Sequence, residues 1–146
     1  MTSQVEIYSV LPAKDLQRAR QFYSDAFGME PDQDMPEGLI YRTAGGAMIL
    51  IYETPFAGTN QATAIGLVTD TFDTDMADLR AKGVKFEEYD LPGLKTENGV
   101  VEMEGAKGAW FKDTEGNIVS LSEDLFALRA RSAAQSQRKE GASDID

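Results

Sequence analysis

Apolar residues follow two alternating rhythms along the chain. Residues 5–11 carry Val5, Ile7, Tyr8, Val10 and Leu11, a strand-favouring run that predicts a strand limited by Pro12. Asp15 suits a helix cap, and beyond it Leu16, Ala19, Phe22, Tyr23, Ala26 and Phe27 recur every three or four residues until Gly28 closes the helix they imply. A polar loop with Pro31 and Pro36 then leads to two strand-like stretches, 39–43 and 47–52, joined as a hairpin through Ala44, Gly45 and Gly46. Strand, helix and hairpin form a unit whose helix must bury its apolar face on the sheet.

The same order recurs. Residues 64–68 predict a strand, and Thr71 or Asp73 can cap a helix that carries Phe72, Met76 and Leu79 and ends at Gly83. Residues 84–89 read as extended, and 108–112 and 117–122 as a second hairpin around Asp113, Thr114, Glu115 and Gly116. Gly28 to Gly83 is 83 − 28 = 55 positions and Tyr8 to Ala64 is 64 − 8 = 56, so strand and helix keep register between the halves. Gly46 to Gly116 is 116 − 46 = 70, and 70 − 56 = 14 extra residues then fall in the second half, between Phe86 and Lys107. They include the turn-rich stretch 90–99, a binding loop or lid on one reading and a surface excursion on the other.

These repeats predict an α+β fold. One domain is expected over 1–126, with a first module at about 5–54 and a second at about 62–123. From Ala127 the large apolar residues thin out, so 127–146 is expected to be a frayed helix or disordered tail. At 146 residues the chain suits one hydrophobic core.

Composition mainly removes possibilities. No apolar run is long enough to cross a bilayer and nothing at the start resembles a secretory signal, so no membrane partner and a cytoplasmic location are expected. A net charge of -11 disfavours nucleic acid as a partner. The absence of cysteine excludes disulfides, thiolate metal sites and a cysteine nucleophile. The absence of histidine removes the commonest transition-metal ligand and the usual general base near neutral pH.

Three stretches then carry a resemblance: Leu11-Pro12-Ala13-Lys14-Asp15-Leu16 with Arg18-Ala19-Arg20-Gln21-Phe22-Tyr23 and Phe27-Gly28; Asp78-Leu79-Arg80-Ala81-Lys82-Gly83-Val84; and Trp110-Phe111-Lys112-Asp113-Thr114-Glu115-Gly116-Asn117. In their order and spacing the chain resembles the vicinal oxygen chelate superfamily of glyoxalases, bleomycin-resistance proteins and extradiol dioxygenases, over about residues 5–122. The resemblance implies two βαβββ modules whose curved mixed sheet encloses a cleft, with helices on the outer face. It implies a homodimer as well. In metal-dependent relatives a divalent ion is held by His or Gln at the start of each module's leading strand and by Glu in each closing strand. The matching positions here are Tyr8, Ala64, Leu50 and Ser120. One phenol, one hydroxyl and two hydrocarbon side chains cannot hold a hard divalent ion, so neither metal nor other cofactor is expected. A site relocated to Glu6, Glu53, Glu102 and Glu104 is the competing possibility.

Strand alternation extends those positions into a lining: Tyr8, Val10, Met48, Leu50 and Tyr52 from the first module, Ala64, Gly66, Val68, Ile118, Ser120 and Ser122 from the second. Tyr41 and Trp110 are candidate ring walls, with core packing as their alternative, and Arg42 and Lys112 candidate anion contacts. Ile49, Ile51, Val119 and Leu121 are expected to face the helices. A binding protein for a small organic molecule is the favoured reading. The alternatives are a lyase, isomerase or dioxygenase of the same superfamily, by metal or by metal-free acid–base chemistry, and a structural or regulatory dimer with a filled cleft. No catalytic residue is identified: Ser120 has no histidine to activate it, and Tyr8 would need a partner and a lowered pKa.

Overall fold

Helix α1 (Leu16–Phe27) begins where Asp15, in an extended conformation, accepts a hydrogen bond from the Arg18 amide, and ends at Gly28 in the left-handed region (φ 64°). It buries Ala19, Tyr23 and Ala26. The structure, a computed structural model, describes residues 4–123, so the expected tail over 127–146 lies outside the described residues.

Helix α1 covers a four-stranded mixed sheet of order β1-β4-β3-β2, made of β1 (Ser9–Ala13), β2 (Gln33–Met35), β3 (Gly38–Arg42) and β4 (Met48–Glu53). Strand β1 runs parallel to β4 and the hairpins are antiparallel. The second module repeats this plan with β5 (Thr63–Thr69), α2 (Phe72–Ala81), β8 (Val101–Met103), β9 (Ala106–Lys112) and β10 (Ile118–Glu123), in the order β5-β10-β9-β8. Two helices on two four-stranded mixed sheets make an α+β fold of two modules.

Alternation decides what is buried. Leu11, Leu39, Ile49 and Ile51 pack with Ala19 and Tyr23 of α1, while Phe72, Met76 and Leu79 of α2 pack with Ala109 and Leu121. Phe111 stacks on Phe27 of the first helix, at 5.9 Å between ring centroids, so the two cores meet through α1.

Several boundaries differ from expectation. The leading strand is Ser9–Ala13, not 5–11: β4 offers Ile49 to Glu53 as partners for Ser9 to Ala13, and Val5 and Ile7 stay exposed. Pro12 is tolerated inside β1 because the strand lies at the sheet edge. The polar loop after α1 contains β2, and the stretch 90–99 contains a small hairpin, β6 (Asp90–Leu91) with β7 (Leu94–Lys95). That stretch is clipped down by the buried Thr96, whose hydroxyl accepts from the Tyr89 amide and bonds to Glu88.

The modules are joined by a polar knot in the turn between β9 and β10. Glu115 accepts from the Lys14 and Asp15 amides, from Arg18 through Nε at 2.8 Å, and from the Thr114 hydroxyl. Asp113 accepts from the Glu115 and Asn117 amides, from Asn117 Nδ2 and from the Tyr23 hydroxyl at 2.7 Å, and Asn117 also donates to Pro12 O. Gly58, in the connection between modules, lies so near this turn that a Cβ would stand 2.9 Å from Glu115 O.

Candidate ligand-binding site

Among the described residues, nothing covers the sheet faces turned away from the helices. Val10 pairs with Leu50, which pairs with Ile40, so these three side chains share that face in the first module. In the second, Gly66 pairs with Ser120 and Ser120 with Trp110, while Val68 pairs with Ser122 and Ser122 with Gly108. Val10, Tyr52 and Val68 are 47%, 38% and 59% exposed, far above what their apolar bulk favours in a finished interior.

Two hollows lie on these faces. One, of about 330 Å³, is walled by Tyr8, Met35, Ile40, Met48 and Leu50, with Glu37 at its rim. The other, of about 300 Å³, is walled by Thr63, Met103, Trp110, Ser120 and Ser122, with Lys107 and Glu123 at its edge. Trp110 is steered by two contacts: its indole Nε1 donates to Thr63 Oγ1 at 3.2 Å, and its ring meets Tyr89 edge-on at 5.5 Å. The Ser120 hydroxyl has room because its neighbour is glycine: a Cβ on Gly66 would stand 3.1 Å from it.

The expected lining is thus divided. Tyr8, Met48 and Leu50 border the first hollow, and Trp110, Ser120 and Ser122 the second. Val10, Tyr52, Ala64 and Gly66 border neither hollow: Val10 and Gly66 lie on the same faces by register, Tyr52 and Ala64 are exposed, and Ala64 is skipped by the β5–β10 register. Tyr41 does not line the site. It pairs with Ile49, the helix-facing residue, and directly paired residues share a face, so its ring is 1% exposed among Tyr23, Leu39 and Ile51. Among the described residues its hydroxyl has no hydrogen-bond partner, and burial raises its pKa. Ile118 is also buried, although its pairing with Lys112 in the unbroken β9–β10 register keeps it on the same face as Ser120; the register shift against β5 falls on Ala64 instead. Arg42 is engaged with Asp32 at 3.3 Å.

Met35, Ile40, Thr63, Met103 and Tyr89 were absent from the expected lining. Only Tyr89 had a usable signal: in 84–89 the apolar Val84 and Phe86 alternate with Lys85, Glu87 and Tyr89, and the first two pack on the core. Met35 and Met103 sit in strands of three residues, too short to show alternation.

The family's metal positions do not fit a metal. Tyr8 presents a phenol, Ser120 a hydroxyl, and Leu50 and Ala64 carry hydrocarbon only, a donor set that matches neither the oxygen-rich shell of Ca²⁺ or Mg²⁺ nor the nitrogen ligands of zinc. Among the described residues, no three of the Asp and Glu side chains are gathered to share an ion, and Glu6, Glu53, Glu102 and Glu104 are not brought together.

Residues 6–121 match the family model described as Glyoxalase/Bleomycin resistance protein/Dioxygenase superfamily. No curated protein sequence matches the chain. Among solved structures it is similar to an antibiotic binding protein, TnmS3, from Streptomyces sp. CB03234, with 22% identity over 82% of this chain and 97% of that one and a TM-score of 0.61. It is similar to a lactoylglutathione lyase from Agrobacterium tumefaciens, with 19% identity over 83% and 94% and a TM-score of 0.62. It is also similar to a fosfomycin resistance protein, FosX, from Listeria monocytogenes, with 15% identity over 84% and 94% and a TM-score of 0.63. At these identities the likeness is one of fold.

Proposed function

We propose that this chain, which belongs to the Glyoxalase/Bleomycin resistance protein/Dioxygenase superfamily, is a metal-free binding protein that holds a small organic molecule against the uncovered faces of its sheets. The observation that carries this reading is the lining itself. Apolar side chains with one indole and a few hydroxyls suit a mostly hydrophobic ligand oriented by a small number of polar groups. Catalysis has less support: no histidine or cysteine exists to act as base or nucleophile, and the family's ligand positions carry the wrong chemistry for a metal.

The same exposed apolar face supports a homodimer. Tyr8, Val10, Tyr52 and Val68 would leave water if a second copy brought its own sheet face opposite, and the two hollows would then become walls of one cleft. A dimer whose own side chains fill that cleft, with a structural role alone, is less well supported, since each hollow is open.

Thermal-shift measurements with small aromatic and amphiphilic compounds test the binding reading, because a ligand that binds only the folded state raises Tm with concentration. The expected result is a saturable rise for a subset of compounds on protein dialysed against a chelator. Turnover of a superfamily substrate that appears only when a divalent ion is added would overturn the reading in favour of an enzyme.

A further inference from the structure

A third hollow lies where α1, the turn after α2 and the turn between β9 and β10 come together. It measures about 410 Å³, rests on the half-buried Phe22 and Val84, and is bordered by Lys82, Lys85, Lys112 and Thr114. None of these residues borders the hollows of the uncovered faces. A neighbouring hollow of about 210 Å³ shares Phe22, Val84 and Lys82 with it and continues it along α1. The floor is firmly held: the Phe22 ring meets Tyr23 edge-on at 5.1 Å and Phe111 at 6.2 Å between centroids.

The charges around this hollow run against the rest of the molecule. Three of the chain's seven lysines border it, on a chain whose net charge is -11. Phe86 bridges Phe111 in the antiparallel sense and the Glu87 amide donates to Trp110 O at 2.7 Å, so Lys85 stands directly opposite Lys112. Like charges facing each other across two strands repel, and nothing within reach relieves this pair: among the described residues neither lysine is in an ion pair. Lys82 is held by Asp78 at 2.9 Å and more loosely by Ala26 O at 3.4 Å. The Lys82 and Asp78 side chains are 40% and 57% exposed, so theirs is a surface pair that an incoming anion can displace. Two acids also border the hollow. Asp113 is buried and already accepts from Tyr23 and Asn117, and Glu87 forms no ion pair with any of the three lysines. Three cations thus stand against one uncommitted carboxylate.

We propose that this hollow is a second binding site, for the phosphate monoester of a small apolar molecule. Lysine meets phosphate as a compact point charge, and three of them match a group that carries nearly two negative charges at neutral pH. Phe22 and Val84 offer the apolar part its surface. A bound dianion turns the repulsion between Lys85 and Lys112 into two attractions. With no lining residue in common, this site stands or falls independently of the binding reading above.

Isothermal titration calorimetry with phenyl phosphate, phenyl sulfate and inorganic phosphate tests the proposal. Phenyl phosphate is expected to bind about tenfold more tightly than inorganic phosphate, which lacks the ring, and more tightly than phenyl sulfate, which carries less charge. Its affinity should fall as salt rises from about 0.02 to 0.5 M. The doubly substituted Lys85→Gln, Lys112→Gln protein should bind it at least about tenfold more weakly, while its Tm without ligand stays equal or rises as the repulsion is removed. In Ser120→Phe, which crowds the second hollow, the affinity should be unchanged. Inorganic phosphate binding as tightly as phenyl phosphate, undiminished binding to the lysine variant, or no saturable heat up to about 10 mM would overturn the proposal. So would a lower Tm in the lysine variant, because the pair would then have its counter-charge within the protein. Loss of binding in Ser120→Phe would move the phosphate ester to the uncovered face and overturn the second site.

Discussion

The turn between β9 and β10 and the sheet face behind it are built from the same strands to opposite specifications. In the turn, Asp113 and Glu115 are 6% and 4% exposed, and every acceptor is met by amides, a guanidinium or a phenol. On the face, Ser120, Ser122 and Trp110 look into an open hollow, and the apolar neighbours remain in water. Saturated polar contacts specify how one module sits on the other; unsaturated surface is what a binding site requires. Stability and binding should therefore separate by mutation.

The largest effect is expected at Glu115. Its replacement by Ala strands the Lys14 and Asp15 amides and frees Arg18, and should cost about 3 kcal/mol in urea unfolding. A loss under about 1 kcal/mol would mean that the modules are held together by their apolar contacts alone.

Acid should probe the same joint. Burial alone would raise the Glu115 pKa. The Arg18 hydrogen bond, the Asp15 amide, the Thr114 hydroxyl and the Arg18 charge outweigh it and lower the pKa from 4.5 to about 2. A carboxylate depressed in the folded state adds stability that is complete above its unfolded value and is lost as pH falls through the folded one. Stability should thus decline between roughly pH 5 and pH 2. In Glu115→Gln that decline should flatten, as followed by denaturation at each pH.

Two buried tyrosines sharpen the contrast on a smaller scale. The Tyr23 hydroxyl donates to Asp113, so Tyr23→Phe should destabilise by about 1–2 kcal/mol. The Tyr41 hydroxyl is buried without a partner among the described residues, so Tyr41→Phe should be neutral or stabilising by up to about 1 kcal/mol. Equal losses in the two variants would contradict this accounting. The smallest effect on stability belongs to the open face: Ser120→Ala should change unfolding by less than about 0.5 kcal/mol. Ser120→Phe, crowding the second hollow, should abolish the ligand-induced rise in Tm.

Residues with a period of two or of three and four were readable in the sequence. Ile49, Ile51, Val119 and Leu121 all turn toward the helices as alternation requires, and Asp15 and Gly28 bound α1. Tyr41 was misjudged because its face depends on pairing with Ile49, a register that neighbouring residues do not encode. Asp113-Thr114-Glu115-Gly116-Asn117 reads locally as a turn. Its role as the joint arises from partners about a hundred positions away, Lys14, Asp15 and Pro12, which no local pattern announces. The site was legible only to the extent that it lies on long strands: the family resemblance points to Leu50 and Ser120, and alternation along the same strands adds Met48 and Ser122, whereas Met35 and Met103 follow from neither.

Binding of organic molecules on the uncovered face should need no metal. The most direct measurement is a titration of chelator-dialysed protein with hydrophobic ligands, followed by Trp110 fluorescence with and without added divalent ions. Saturable binding that is unchanged by the ions and lost in Ser120→Phe is the predicted result. Binding that appears only when a divalent ion is supplied would contradict it.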